Sequence, residues 1–567
     1  MKNGTESNKR FLTGLVCGSA MVLSLAAPVT YASQYWTPAL MKEHQGGTLQ
    51  LVARSAAGTI DPQINYTSEF WQVYQFVYDG LVAFRKGPGK AGSELVPDLA
   101  VALPKPEDGG KTYVFKLRKG IKFSNGQPVT VQDVVASFQR IFKVHSPTSG
   151  AFYNVIVGAD KCLKDASTCT LAGGVVGNAA KGTITFHLTH PDSEFFDKLA
   201  LPHAAVLPAS TPDHDVGTKP IPGTGPYMIA SYNPNKEMII VRNPYFKQWS
   251  VEAQPNGYVN KMVYRFGLTD EAEVTAVENG QADWMFDQPP SDRLNEIGTR
   301  YAKQVHVNPM EAIYYVPMNT NLAPFNNLKA RQAVSYAIDR KAVVNLFGGP
   351  RLGVPSCQIL PPGFPGYEPY CPYTKDPGTK WSAPNMAKAK QLVQESGTAG
   401  EKVTLIVEDN AVSRAIGTYL QSVLNEIGYD ASLKAISPNV QFTYIQNTKN
   451  KVQISLTQWY QDYPAASDFL NVLFSCESFH PGSDSSINIA GFCNPKIDAQ
   501  MKHAMTLALT DTASANKLWA KVDREVTDQA PAAVLFNPKH IDFVSSRVGN
   551  YMYSSQRHWV ISQAWVK

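Results

Sequence analysis

At 567 residues the chain is too long for one compact core, so two or three domains are expected. Its formal net charge of +5 is modest for that length, and basic residues are interspersed with acidic ones rather than gathered in runs. That distribution excludes the basic tract of a nucleic-acid binder or a polybasic membrane surface and leaves a solvated surface of mixed charge.

Residues 1–33 follow the plan of a secretory signal peptide. Lys2, Lys9 and Arg10 precede a mostly apolar run over 11–29, and small residues follow around 30–33. Gly14, Gly18, Ser19, Ser24 and Pro28 weaken that run as a spanning helix, and no later segment approaches the ~20 apolar residues a span needs. Val16 precedes Cys17 where a lipid-modification pattern wants a small residue, so no lipid anchor is expected. Residues 34–45 lack periodicity and read as a loose mature N-terminus.

Regular structure starts at Gly46-Gly47 with a strand over 48–52. Trp71, Tyr74, Val77, Tyr78 and Leu81 then recur at helical spacing. Tyr66, Thr67 and Ser68 lie in the polar loop between, the kind of place where binding groups gather. A Gly-, Pro- and Lys-rich shift at 85–90 marks entry into a smaller inserted domain. There Tyr113, Phe115 and Leu117 alternate with Val114, Lys116 and Arg118 as a half-buried strand. Asn125-Gly126 turns the chain, and Thr130 caps a helix with Val131, Val134, Val135 and Phe138 on one face. Another strand is expected over 183–188, and a short helix from Glu194.

Glycines at 223 and 225 precede alternating strands up to Arg242, Asn243 and Pro244. No Lys-Ser/Thr pair and no helix follow them, so they are not read as a phosphate cradle. A helix over 273–279 ends at Gly280, with a strand over 282–286. From Asn319 a different domain begins, where Ala330, Ala333, Val334, Ala337 and Ile338 form one helical stripe and Arg331 and Arg340 read as solvated. Strand 403–407, helix 416–427 and strand 431–435 make a β-α-β pattern, hence a mostly parallel sheet covered by helices. Near the C-terminus, 532–536 and 540–544 read as two strands interrupted by Asn537-Pro538.

The chemistry is concentrated in one place. Trp459, Tyr460, Gln461, Asp462, Tyr463 and Pro464 follow the alternating residues 452–456, which puts them at the carboxyl end of a strand, where open α/β sheets gather ligand groups. No G-x-S-x-G elbow, H-E-x-x-H helix or Walker glycine loop occurs. His203 and His214, the latter between Asp213 and Asp215, read as solvated loop residues, and neither a metal nor a cofactor is expected. The six remaining cysteines fall into couples, Cys162 with Cys169, Cys357 with Cys371 and Cys476 with Cys493. Six cysteines allow 15 connectivities, of which local pairing is the simplest, and buried free thiols are the alternative. Export favours disulfides, and the C-x2-C spacing of a metal site is absent.

Several blocks together resemble solute-binding protein family 5, the dipeptide- and oligopeptide-binding proteins of ABC importers. They are Leu95-Val96-Pro97-Asp98-Leu99-Ala100, the segment 111–126, the helix from Val131 to Phe138, the turn ending in Pro226-Tyr227, Gly280 with Ala282-Asp283, the helix from Arg331 to Arg340, and Trp459 with Asp462-Tyr463. The resemblance implies an α/β type-II periplasmic-binding fold of two lobes and a hinge, with an extra small α+β domain. On this plan 34–84, 216–310 and 536–567 form lobe I, 85–215 the inserted domain II and 311–535 lobe III, with the hinge near 307–315 and 534–541. It implies a periplasmic, monomeric binding subunit rather than an enzyme, taking short peptides and delivering them to permease and ATPase subunits, with membrane contact only through the permease. It also implies that Asp462 pairs with a peptide α-ammonium, with Trp459, Tyr463, Tyr66, Thr67 and Ser68 nearby. No cation stands just upstream of Trp459, and Arg414 is the candidate for a peptide carboxylate. Relatives in the same fold that bind nickel chelates, haem, opines or oligosaccharides are the alternative, and an exported hydrolase is a remote one.

Overall fold

The computed structural model describes residues 37–56 and 58–567, so the signal-like segment 1–33 and Cys17 lie outside the described residues. Among the described residues no helix is long and apolar enough to cross a membrane. Four of the sheets position the site. The first has the order Trp284–Met285, Thr48–Ala53, Lys261–Phe266, Glu237–Arg242, Tyr227–Asn233, with the first three strands parallel and the rest antiparallel. The helix Ser68–Val77 packs on this body through Phe70, Val73, Tyr74 and Val77. Gly223 and Gly225 pass so close to its C-terminal end that a Cβ would lie 2.0 Å from the Val77 carbonyl and 2.3 Å from the Phe76 carbonyl. The glycine turn is therefore filled by the protein's own backbone, and Thr224 between the two glycines donates to Asp79 (2.6 Å).

The inserted segment forms an antiparallel sheet of Thr112–Lys116, Thr183–His187 and Val175–Asn178. Its helix, Val131–Lys143, opens on a capping box in which Asp133 accepts from the Thr130 amide (2.7 Å). Arg140 of that helix reaches the loop after the first strand and grips Asp61 with two nitrogens, at 3.0 and 2.5 Å, both side chains being buried.

The third sheet is parallel, with Lys402–Glu408 between Asp430–Ile436 and Ile454–Ser455. Helix Ala411–Ile427 buries Ile416, Leu420, Val423, Leu424 and Ile427, the face its spacing predicts, and stops at Gly428 with φ +114°. The chain then changes sheet within a few residues. Ile454–Ser455 belongs to the parallel sheet, whereas Thr457–Tyr460 pairs antiparallel with Ala312–Pro317 in the fourth.

Three expectations are corrected here. The segment from 328 is two helices, Leu328–Ala337 and Arg340–Phe347, because the Asp339 carboxylate accepts from the amides of Lys341 (2.9 Å) and Ala342 (3.1 Å) and starts a new helix. Arg331 and Arg340 are not solvated, being only 5% and 1% exposed. Arg331 donates to the carbonyls of Phe325 and Gln529, and Arg340 to those of Ser356, Val534 and Ser335. A guanidinium has five N–H donors, enough to tie several irregular backbone segments together without a carboxylate. Finally, the C-terminal strand is continuous through Asn537-Pro538 as Ala532–Phe543. Its first half pairs with Ala312–Pro317 and its second with Val305–Pro309, and Pro538, which has no N–H, falls at the change of partner.

All three disulfides are local: Cys162–Cys169, Cys357–Cys371 and Cys476–Cys493. Arg340→Ala is expected to lower stability by about 2–4 kcal/mol, since three buried carbonyls lose their donors. Urea unfolding of the two proteins measures it, and a difference below about 0.5 kcal/mol, the level of an ordinary surface substitution, would refute the clamp.

Candidate functional site

A cavity of about 310 Å³ opens between two walls that are distant in sequence. Arg54, the loop 66–68, helix residues Glu69 and Trp71, and Asp287 form one side. Glu408, Asn410 and residues 457–462 form the other, and His540, Arg557 and His558 complete the lining. Its size is at the lower end of the ~300–1,000 Å³ of small-ligand sites.

Asp462 stands just past the strand Thr457–Tyr460 and is 6% exposed. The Tyr66 hydroxyl, from the opposite wall, donates to its Oδ2. Its amide donates to Asp468 Oδ2 (2.8 Å), and Gln556 Nε2 donates to its carbonyl. Burial pushes the Asp462 carboxyl up to about 7, against the opposing pull of the Tyr66 bond and the Arg557 charge. This is a carboxylate held with too little positive charge nearby. Trp459 lines the cavity, its indole N–H fixed on the Asp468 carbonyl (3.1 Å) and the Tyr66 ring edge-on to it at 5.7 Å. Thr67 and Ser68 also line it, and the Thr67 hydroxyl is engaged with Asn65 Oδ1 (2.7 Å).

Two of the residues singled out from the sequence are not in the lining. Tyr463 is buried behind the wall, with its hydroxyl on Ser467 Oγ (3.1 Å) and its ring edge-on to Phe152. Arg414 has a side chain 53% exposed and pairs with Asp409 at 2.5 Å. The helix turns it outward, while its neighbours Val412 and Ser413 face the cavity. His203 also differs from its solvated reading: it is fully buried between Thr148 Oγ1 (2.8 Å) and the Asn65 carbonyl (3.0 Å), and burial lowers it to about 4. It supports the loop that carries Tyr66. Among the described residues no group of three or more His, Cys, Asp or Glu side chains could hold a metal ion.

The sequence reading missed Arg557. Its guanidinium lines the cavity, its Nη2 is buried without a hydrogen-bond partner, and it lies over the rings of Trp71 (5.7 Å) and Phe84 (5.1 Å). Burial lowers it to about 10, opposed by Asp462 and Asp468. The cation the sequence offers is Arg414, whereas Arg557 comes from a loop near the C-terminus with no periodic signal. The cluster around Arg54 was missed for the same reason. Arg54 Nη1 is 2.8 Å from Asp270 Oδ1, Nη2 is 3.0 Å from Asp287 Oδ1, and the Arg54 amide donates to Asp287 Oδ2 (2.7 Å).

Residues 94–480 match the model of the bacterial extracellular solute-binding proteins, family 5 Middle. The periplasmic oligopeptide-binding protein OppA of Escherichia coli (strain K12) is 24% identical over 455 residues, covering 78% of this chain and 79% of that protein. The dipeptide-binding protein of the same organism is 26% identical over 511 residues, covering 84% and 86%. Among solved structures, the Helicobacter pylori periplasmic binding protein DppA, in complex with the peptide STSA, aligns with a TM-score of 0.78 at 19% identity, over 93% of this chain and 99% of that one. The Escherichia coli murein tripeptide binding protein MppA gives 0.78 at 22% identity, over 92% and 99%. The fold is thus the type-II periplasmic-binding architecture, mixed α/β, and the chain belongs to family 5 of the bacterial extracellular solute-binding proteins.

Proposed function

We propose that the protein is the periplasmic binding subunit of an ABC importer, capturing short peptides between its lobes and delivering them to a membrane permease whose ATPases supply the energy. The observation that carries this reading is Asp462, a buried carboxylate with unmet charge in a cavity whose walls come from distant parts of the chain. An α-ammonium placed there would replace the Tyr66 hydroxyl as its partner, exchanging a neutral donor for a charged one. Arg557, not Arg414, then offers the donor for a ligand carboxylate. The OppA and dipeptide-binding relatives are named for such ligands, which supports the peptide class. In this reading 34–84, 216–310 and 536–567 act as one lobe, 311–535 as the other and 85–215 as the inserted domain, in a monomer exported by the segment 1–33. The ligand shifts an open–closed equilibrium by binding the closed form better, and the solute is released unchanged.

Three outcomes are expected. In a titration with a tripeptide and its N-acetylated form, acetylation should weaken binding to wild type by about 1.5–3 kcal/mol and matter much less to Asp462→Asn. Equal discrimination by both proteins would remove Asp462 from the site. The second outcome concerns pH. Because the free protein holds Asp462 near 7 and a bound ammonium favours its ionised form, affinity should rise with pH from 5 to 7, approaching tenfold per unit at the acid end. Asp462→Asn should flatten that profile in calorimetry, and a parallel slope would attribute it elsewhere. Third, small-angle scattering should record compaction when a peptide that demonstrably binds is added. An unchanged radius of gyration would contradict lobe closure.

A further inference from the structure

The cavity has a second charged end, away from Asp462. Arg54 meets Asp270 and Asp287 there from its own wall, and Glu408, the last residue of the strand Lys402–Glu408, acts on the same guanidinium from the opposite wall. Two carboxylates therefore contact one guanidinium and a third stands within electrostatic reach of it, and all four residues line the cavity. Glu408 also accepts from Asn410 Nδ2 (2.9 Å), and its cation, Arg54, is already paired with Asp270 and Asp287. Burial raises the pKa of both Asp287 and Glu408 in spite of Arg54.

Glu69 supplies the independent observation. It belongs to the first turn of the helix Ser68–Val77, is only 6% exposed, and lines the same cavity. Its Oε1 is buried with no hydrogen-bond partner. Burial, followed by the charge of Asp287, holds this carboxyl well above the usual range, against the opposing pull of the Tyr264 hydroxyl and the Arg54 charge. A buried carboxyl of this kind either takes up a proton or meets a donor and a positive charge from something that binds there.

We infer that this end of the cavity is a subsite for a cationic side chain, so that the preferred ligands are short peptides carrying lysine or arginine. The inference rests on the peptide reading above. An organic cation fits better than a metal ion, because no His, Cys, Asp or Glu group among the described residues is arranged to hold one. A guanidinium fork or a flexible ammonium can be met by acceptors spread over two walls. The spacing also suits a peptide. Gln458, which hydrogen-bonds Glu408, stands four residues before Asp462, so the Cα atoms of Gln458 and Asp462 are at most about 14 Å apart along that wall. A basic side chain on the second or third residue of a peptide anchored at Asp462 spans that gap.

The test is calorimetry on the full-length mature protein, freed of retained ligand by unfolding and refolding, with Ala-Ala-Ala, Ala-Lys-Ala and Ala-Glu-Ala. Ala-Lys-Ala should bind at least about tenfold more tightly than Ala-Ala-Ala, the worth of one charge-assisted hydrogen bond, and Ala-Glu-Ala should bind worst. Glu408→Gln should shrink the ratio between Ala-Lys-Ala and Ala-Ala-Ala severalfold. Asp287→Asn takes its place if that variant fails to fold. Equal affinities for the three peptides, or a ratio unchanged in the variant, would overturn the subsite. If no tripeptide binds at all, the peptide reading falls and agmatine, a guanidinium compound with no peptide bond, decides the rest. A thermal shift by agmatine that disappears in Glu408→Gln keeps the cationic subsite, and no shift in wild type overturns it.

Discussion

The strand Ala532–Phe543 carries the architecture. It runs antiparallel to both Val305–Pro309 and Ala312–Pro317, so two segments cross the middle of the molecule side by side as one ribbon. At one end Val544 bridges to Trp284 of the first sheet, and at the other Met318 bridges to Ile454 of the parallel sheet. Asp542 fixes the first of these joints. It accepts from Trp284 Nε1 (2.7 Å), His540 Nε2 (3.0 Å) and the Tyr551 hydroxyl (2.5 Å). Burial works against its ionisation, yet the His540 charge and these donors hold its carboxyl down at about 2. One shared sheet therefore links the two walls of the cavity.

Charge is treated differently in the frame and in the cavity. Asp61 with Arg140, and Asp192 with Lys198 at 2.6 Å, are buried pairs with both partners present. Breaking such a pair costs about 3–5 kcal/mol, because the survivor is left as a bare charge in a medium that solvates it poorly. In the cavity Asp462 has a tyrosine where an ion would serve better, Arg557 has aromatic faces where a carboxylate would, and Glu408 leans on an amide. The frame holds unpaired buried carboxyls as well, Glu273 among them, so what sets the cavity's charged groups apart is that they face a space a ligand can enter.

Local patterns in the sequence carried much of the fold. The β-α-β unit around 402–436 and the helix cap at Thr130 depend on spacing and side-chain type within a few residues, and the structure contains both. The failures are equally physical. Burial of Arg331 and Arg340 is decided by carbonyls from distant loops, which no helical period reports. The unbroken strand through Pro538 depends on which neighbour lies alongside, a tertiary fact. Among the residues that line the cavity, Asp462, Trp459 and Tyr66 were legible because a compact motif and a polar loop marked them. Arg557, Arg54 and Glu408 were not, because only folding brings the C-terminal loop, the end of the first strand and the end of a parallel strand to one space.

The three disulfides close loops with sequence separations of only 7, 14 and 17 residues. None ties one side of the cavity to the other, so the bridges constrain only their own loops. The same shortness bears on how the chain is made. A polypeptide that emerges N-terminus first exposes each cysteine's partner at most 17 residues later, before the next couple has appeared. Correct pairing is thus a matter of order of arrival, with the 15 possible connectivities reduced to one choice at each step, and no reshuffling of mispaired bridges is required before the lobes assemble.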